Sequence, residues 1–215
     1  MYQLVSTKRG KYMNTKNKGA YTREKILSKA IPVINEKGFC NTSMNDIILS
    51  TGVKKGNLYF HFSSKEELGL ALIQEAKQEY FWYINNMIRG ETPLQQLDSI
   101  LEAIVAFHSK KGFIGGCIFG NTALEMGDRN EKFTGMIQEI FREWISLMSG
   151  YIAKAKQCGE LKSQSDPEQI ARHIVAVLEG GVMMARLSKD ENEMLECVKV
   201  LRSFLGISGR EYCQE

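Results

Sequence analysis

A chain of 215 residues with 43% hydrophobic residues and 28 Lys and Arg against 25 Asp and Glu is long and apolar enough to bury a core, which excludes a disordered chain. No apolar run approaches the roughly 18 residues of a membrane span, and the first 20 residues lack the apolar centre of a signal peptide, so the chain reads as cytoplasmic with no membrane partner. Five cysteines, Cys40, Cys117, Cys158, Cys197 and Cys213, are odd in number, scattered, never in a C-x-x-C pair and never beside a histidine, which indicates neither a disulfide framework nor a metal site, and no cofactor is implied.

Few prolines, scarce β-branched alternation and apolar residues at helical spacing point to an all-α fold of about nine helices. The first 18 residues hold five cations and no acid and read as a flexible basic arm. A first helix is expected over about Thr22 to Lys37, with Ile26, Leu27, Ala30 and Ile34 on one stripe and Pro32 kinking it. Ser43, with Asp46 three residues on, caps a second helix that Gly52 ends. A short third helix spans about Lys54 to His61. Ser63 with Glu66 reads as a second capping box, opening a long fourth helix with the stripe Leu68, Leu72, Ala76, Tyr80, Tyr83 and Met87. Pro93 starts a fifth helix, and "KKGFIGG" is a loop before a sixth from about Cys117 to Met126. Longer helices follow over Asn130 to about Gln157, Pro167 to Leu187 and Asn192 to Leu205.

The charge is divided along the chain. Residues 1–65 carry 12 Lys and Arg against 3 Asp and Glu, while residues 66–215 carry 16 against 22. A basic front on an acidic body is the footprint of a polyanion-binding module attached to something else. Three short helices, the last two joined by a glycine turn, make a helix-turn-helix whose third helix enters the major groove of double-stranded DNA. Val53 and Leu58 are placed to pack inward, leaving Lys54, Lys55, Asn57, Tyr59 and His61 outside. Gly56 lets the backbone approach the duplex, the cations and hydroxyls suit phosphates, and Asn57 suits base edges. Ser63 to Lys65 offers a helix N-terminus and an ammonium as a second phosphate clamp.

The residues "TREKIL…A…EKGF…TSMNDI…TGVKKGNLYFHFSSKEEL", Thr22 to Leu68, resemble the tetracycline-repressor-like (TetR) transcriptional regulators, and the core G-V-x-x-G-x-L-Y-x-x-F-x-x-K-E-x-L is specific to that family. The resemblance implies a basic arm (1–18), a DNA-binding domain (19–65) and a helical ligand-binding and dimerisation domain (66–215). It implies a homodimer, most often a repressor released from a palindromic operator by a small molecule, here of apolar or aromatic character. Carried onto matching positions, Thr42, Lys55, Tyr59, His61 and Lys65 become DNA contacts, with Ser43, Lys54, Gly56 and Asn57 added from the pattern. The sequence departs from the family at Lys54, often a capping serine, at Ile48, usually a small residue, and at Pro32.

Phe107, His108, Cys117, Phe119, Asn121, Trp144, His173 and Met183 are the candidate pocket residues, with ordinary core packing as the alternative for the histidines, aromatics and methionines. Gly180 and Gly181 in mid-helix need an offsetting gain of roughly 1 kcal/mol each, for which close helix approach in a dimer, or a pocket wall, is the candidate. Cys117 at a helix N-terminus, near Lys110 and Lys111, has the surroundings of a low-pKa thiol, and the Gly-Cys pair resembles electrophile-sensing members of the family. A thiol-triggered repressor and a DNA-bound adaptor without a ligand are therefore alternatives. An enzyme using Cys117 as nucleophile and His108 as base would leave the basic front unexplained.

Overall fold

The computed structural model describes residues 18–207; the basic arm expected at 1–18 lies outside them except for Lys18, as does Cys213. Among the described residues there are nine helices and no strand: α1 (Lys18–Lys37), α2 (Met44–Thr51), α3 (Lys55–His61), α4 (Lys65–Met87), α5 (Pro93–Ser109), α6 (Ile118–Met126), α7 (Glu131–Gln157), α8 (Pro167–Ser188) and α9 (Asn192–Leu205). None is long and apolar enough to cross a membrane. The chain divides into two compact units between Ala76 and Lys77, inside α4.

The first unit is built on the stripe that the sequence displays: Ile26, Leu27, Ala30 and Ile34 of α1 are all buried, together with Ile47, Val53, Leu58 and Phe62. Pro32 does not interrupt α1, which runs through it as one helix; Ser28, whose carbonyl a proline four residues on leaves without a helical partner, is exposed. Ser43 and Asp46 form the expected capping box, and Gly52 closes α2 in the left-handed region at φ 68°, its N–H bonded to the Ile48 carbonyl. The cap that opens α4 uses Glu67 in place of the expected Glu66, and its two bonds are split between the two serines. Ser64 Oγ accepts from the Glu67 N–H at 3.1 Å, and the Glu67 carboxylate accepts from the N–H of Ser63 at 2.8 Å. Ser63 and Ser64, with Glu66 and Glu67 beyond Lys65, allow more than one pairing from sequence, and the folded chain joins Glu67 to both serines.

In the second unit α7 packs with α5, α6 and α8, and α8 with α9. Thr92, Asn130 and Asp166 cap α5, α7 and α8 through their side chains. The inward stripe of α4 here is Tyr80, Phe81 and Ile84, not Tyr83 and Met87: Tyr83 is half-buried and Met87, the last residue of the helix, is exposed. The two α8 glycines do different work. A Cβ at Gly181 would sit 3.4 Å from the Cβ and Sγ of Cys197, so this glycine admits α9 against α8, whereas a Cβ at Gly180 would meet nothing within 4 Å. Arg202 on α9 is buried and bonds Asp98 through Nε at 2.6 Å and Glu102 through Nη2 at 3.0 Å, both on α5. No two of the described cysteines are bonded to each other.

Candidate nucleic-acid interface and interior cluster

α2 and α3 sit on either side of the Gly52 turn, and burial of Leu58 and Phe62 fixes which way α3 faces. Lys54, Lys55, Gly56, Asn57 and Tyr59 are exposed and His61 is half-buried. Lys54 stands at the N-cap of α3 with no side-chain capping bond, so its ammonium extends into solvent where the family's serine would turn back. The Lys55 Nζ lies 6.0 Å from the centre of the Tyr59 ring one turn later, which places a cation and a hydroxyl on one face. Phe60, 83% exposed, belongs to the same surface although the sequence reading assigned it no role. Its signal was present: with Leu58 and Phe62 both inward, the residue midway between them on a helix faces out.

Three of the expected DNA contacts are occupied by the fold. Thr42 is 1% exposed and its hydroxyl donates to the Gly38 carbonyl at 2.7 Å, so its side chain locks the α1–α2 turn and is not on the outer face. Ser43 is exposed, but its hydroxyl is engaged with Asp46; those bonds, with Lys37 at 3.2 Å, hold the Asp46 carboxyl at about 2. The Lys65 ammonium donates to the Cys40 carbonyl at 3.1 Å and lies over the Phe39 ring; it braces α4 against the α1–α2 turn. All three still shape the surface by holding α2 in place.

Gly56 supplies a discriminating prediction. A Cβ there would meet nothing within 4 Å, so no contact inside the protein explains the glycine. Gly56→Ala is expected to leave stability unchanged or raise it by about 0.5–1 kcal/mol, while DNA affinity falls about tenfold through the methyl meeting the duplex, a loss of the size of one specific contact. Denaturation and DNA titration of the same variant check both halves.

The pocket candidates separate into two groups. Phe119 and Trp144 are buried, and both rings lie edge-on to Tyr80 at centroid distances of 5.8 and 5.5 Å, as does Phe107 at 5.0 Å. Cys117 is 6% exposed at the N-cap of α6 and its thiol bonds the Glu179 carboxyl of α8. Three polar atoms around this cluster, Tyr80 Oη, Trp144 Nε1 and Glu179 Oε1, are buried with no hydrogen-bond partner. Tyr80 and Glu179 are not among the sequence candidates; Tyr80 reads there as one more residue of an apolar stripe. Asn121 is beside the cluster but committed, donating to the Gly115 carbonyl at 2.6 Å and accepting from Arg186 at 2.9 Å.

His173 and Met183 do not line the interior. His173 is exposed with its ring 6.1 Å from that of Phe204, and Met183 is 63% exposed. They lie on an outer face of α8 and α9 that also carries Met184, Leu187, Val200 and Phe204, all exposed, and the open flank of Gly180. This is a contiguous apolar surface of a kind that monomers seldom leave in water.

The expected low-pKa thiol is contradicted. The backbone N–H groups of Phe119 and Gly120 do act on the Cys117 sulfur in the acidifying direction, but burial first and the Glu179 charge second push the thiol well above its usual range. Lys110 bonds the Tyr83 hydroxyl at 3.0 Å, and Lys111 is drawn over the Phe107 ring at 4.1 Å, its own pKa lowered by burial. The Cys117–His108 pairing is not assembled through Nε2, since that atom has no partner; burial first and then Lys111 hold the imidazole neutral, its pKa lowered to about 3. A separate cleft of ≈ 450 Å³, bordered by Arg89, Asp98, Glu102, Glu160 and Ile207, shares no lining residue with the interior cluster.

Residues 26–72 match the family described as bacterial regulatory proteins, tetR family, and residues 93–201 match the tetracyclin repressor-like C-terminal domain. The HTH-type transcriptional regulator in lacX 3'region of Lactococcus lactis subsp. lactis is 31% identical over 80% of this chain and 86% of its own. The HTH-type transcriptional regulator LmrA of Bacillus subtilis is 29% identical over 81% of this chain and 91% of its own. Among solved structures, a TetR transcriptional regulator from Chloroflexus aurantiacus superimposes with a TM-score of 0.82 at 27% identity, covering 88% of this chain and 96% of that one.

Proposed function

We propose, from the premise that the chain belongs to the tetR family of bacterial regulatory proteins, that it is a dimeric repressor which leaves a palindromic operator when a small molecule enters its second unit. Membership makes it a DNA-binding transcriptional regulator and not an enzyme. The observation that carries the operator-binding reading is α3: Lys54, Lys55, Asn57 and Tyr59 exposed together, on a helix oriented by buried Leu58 and Phe62 and preceded by a capped α2. Lys54, Lys55 and Tyr59 would anchor phosphates and Asn57 would read a base edge.

The apolar outer face of α8 and α9 supports pairing of two copies about a two-fold axis, each presenting one α3 to one half-site. The division of labour follows the charge: residues up to about 65 form the reader, the remainder the ligand and dimer domain. α4 supports the switch, because one continuous helix carries Leu68 and Leu72 of the first unit's core and Tyr80 of the interior cluster. A ligand with greater affinity for a tilted α4 would alter the spacing of the two readers, and release follows from that differential affinity.

Titration of the purified protein against DNA from upstream of its own gene tests the reading. Log affinity is expected to fall steeply and linearly with log salt, with a slope of about −4 or steeper for at least two phosphate-bound cations per subunit and about 0.9 per phosphate with allowance for the basic arm. Affinity indifferent to salt, or no binding to any DNA from that region, would contradict it.

A further inference from the structure

The interior cluster has a feature that ordinary core packing does not account for. Burying a carboxyl among aromatic rings costs free energy unless it is paired, and Glu179 enters that environment with the Cys117 thiol as its hydrogen-bond partner and Oε1 left without one. No ion pair joins it to a cation among the described residues, and Arg186, further along the same helix, is held by Asn121.

Room for the carboxyl is provided by Gly120 of α6, where a Cβ would clash with Glu179 Oε2. A glycine inside a helix weakens it, so admission of Glu179 is a specific use of that position. The Tyr80 side chain feels the Glu179 charge, and the rings of Phe107, Phe119 and Trp144 pack edge-on against Tyr80; the Tyr80 hydroxyl and the Trp144 indole N–H, on residues 3% and 2% exposed, are both without partners.

We propose that Glu179, Tyr80 and Trp144 form the recognition site for a small organic cation, an aliphatic or aromatic amine whose ammonium takes the Glu179 carboxylate and whose apolar body packs against the Tyr80, Phe119 and Trp144 rings. The assignment rests on the ligand-responsive reading above and names the class of effector. Each element has its complement: the ammonium supplies the missing counter-charge and donors to Oε1, the aromatic rings attract a cation through their quadrupoles, and Tyr80 Oη can accept a further N–H while Trp144 Nε1 donates to any oxygen the ligand carries. Burial raises the Glu179 pKa; an ammonium beside it favours the charged form, an anionic effector disfavours that form further, and a neutral one supplies no counter-charge.

Three probes with one apolar body separate the head groups: 2-phenylethylamine, 2-phenylethanol and 3-phenylpropionate. The readout is the emission of Trp144 in the full chain carrying Trp82→Phe, since these are the two tryptophans. Saturable binding of the amine is expected, with the alcohol and the acid weaker by about tenfold or more. Glu179→Gln, which preserves shape, is expected to weaken the amine about 30-fold or more, the loss typical when one partner of a buried charge pair is removed, while the alcohol changes little. Gly120→Ala, which displaces the carboxyl, should lose the amine in the same way, and the melting temperature of each variant reports that it is folded.

Equal or tighter binding of the alcohol or the acid, an undiminished amine affinity in Glu179→Gln, or no saturable binding of any of the three overturns the assignment. The regulatory reading fails separately: amine binding that depends on Glu179 but leaves DNA affinity unchanged keeps the site and removes its role as a switch. Release of DNA by some other compound, undiminished in Glu179→Gln, keeps the switch and removes this site.

Discussion

Phe204→Glu is expected to convert the protein from dimer to monomer and to lower its operator affinity about 100-fold or more, the scale set by losing simultaneous engagement of two half-sites. Phe204 is 55% exposed on α9, Val200 one turn earlier on the same helix is 66% exposed, and the His173 ring of α8 approaches it. A half-exposed side chain contributes little to the fold of one subunit, so circular dichroism should be unchanged. Across a two-fold axis the same residue faces its own copy or a close neighbour, and a carboxylate there places like charges in an apolar contact. Gly180 lies on the same side of α8, with its flank open within one chain. Light scattering and DNA titration on one preparation provide the check: a wild-type monomer at micromolar concentration, or a monomeric variant that binds as tightly as wild type, removes the dimer from the account.

Arg202→Ala should cost about 3 kcal/mol of stability, the low end of the range for breaking a buried ion pair. The Arg202 side chain is 6% exposed, whereas Asp98 is 19% and Glu102 42% exposed, so the two carboxylates it abandons can partly rehydrate, which limits the penalty. Its bonds tie α9 to α5, and loss of that tie loosens the helix that carries Phe204, so the dimer should weaken as well. Urea denaturation at fixed protein concentration measures the effect, concentration being held because subunit association stabilises the folded form. Arg202→Met, which keeps most of the packing, should also be destabilised, since the stranded carboxylates are the source of the cost. A loss below about 1 kcal/mol in the alanine variant would show that the bridge is worth no more than a surface pair.

What could be read from sequence alone follows from how local each cause is. Ser43 and Asp46, Gly52, Pro93 and Pro167 act within one turn of themselves, and the helix limits that they imply agree with the folded chain to within a residue or so. The outward face of α3 was legible because Leu58 and Phe62 leave it no other orientation. Cys117 was misread for the opposite reason. The acidifying effect of a helix N-terminus is local and visible, while the burial and the carboxyl of Glu179, brought in from α8, are not. His173 and Met183 failed similarly: α8 is apolar on both its inner and outer faces, and periodicity cannot say which face is the interior. Thr42 was expected as a contact from the family resemblance alone, and in this chain its hydroxyl donates to the Gly38 carbonyl four residues back. Tyr80 and Glu179 carried no motif, and their significance lies in what the fold leaves unpaired around them.

The central claim is that an exposed, basic α3 on each of two subunits binds operator DNA. Its most direct measurement is a footprint on DNA from upstream of the protein's own gene, made with the wild type and with a variant carrying Lys54→Ala, Lys55→Ala and Tyr59→Ala. All three side chains are exposed, so the variant should fold and dimerise as the wild type does. Two symmetric protected half-sites about one or more helical turns apart, lost in the variant, are the predicted result; protection without symmetry, or a variant that protects the same bases at the same concentration, contradicts the claim.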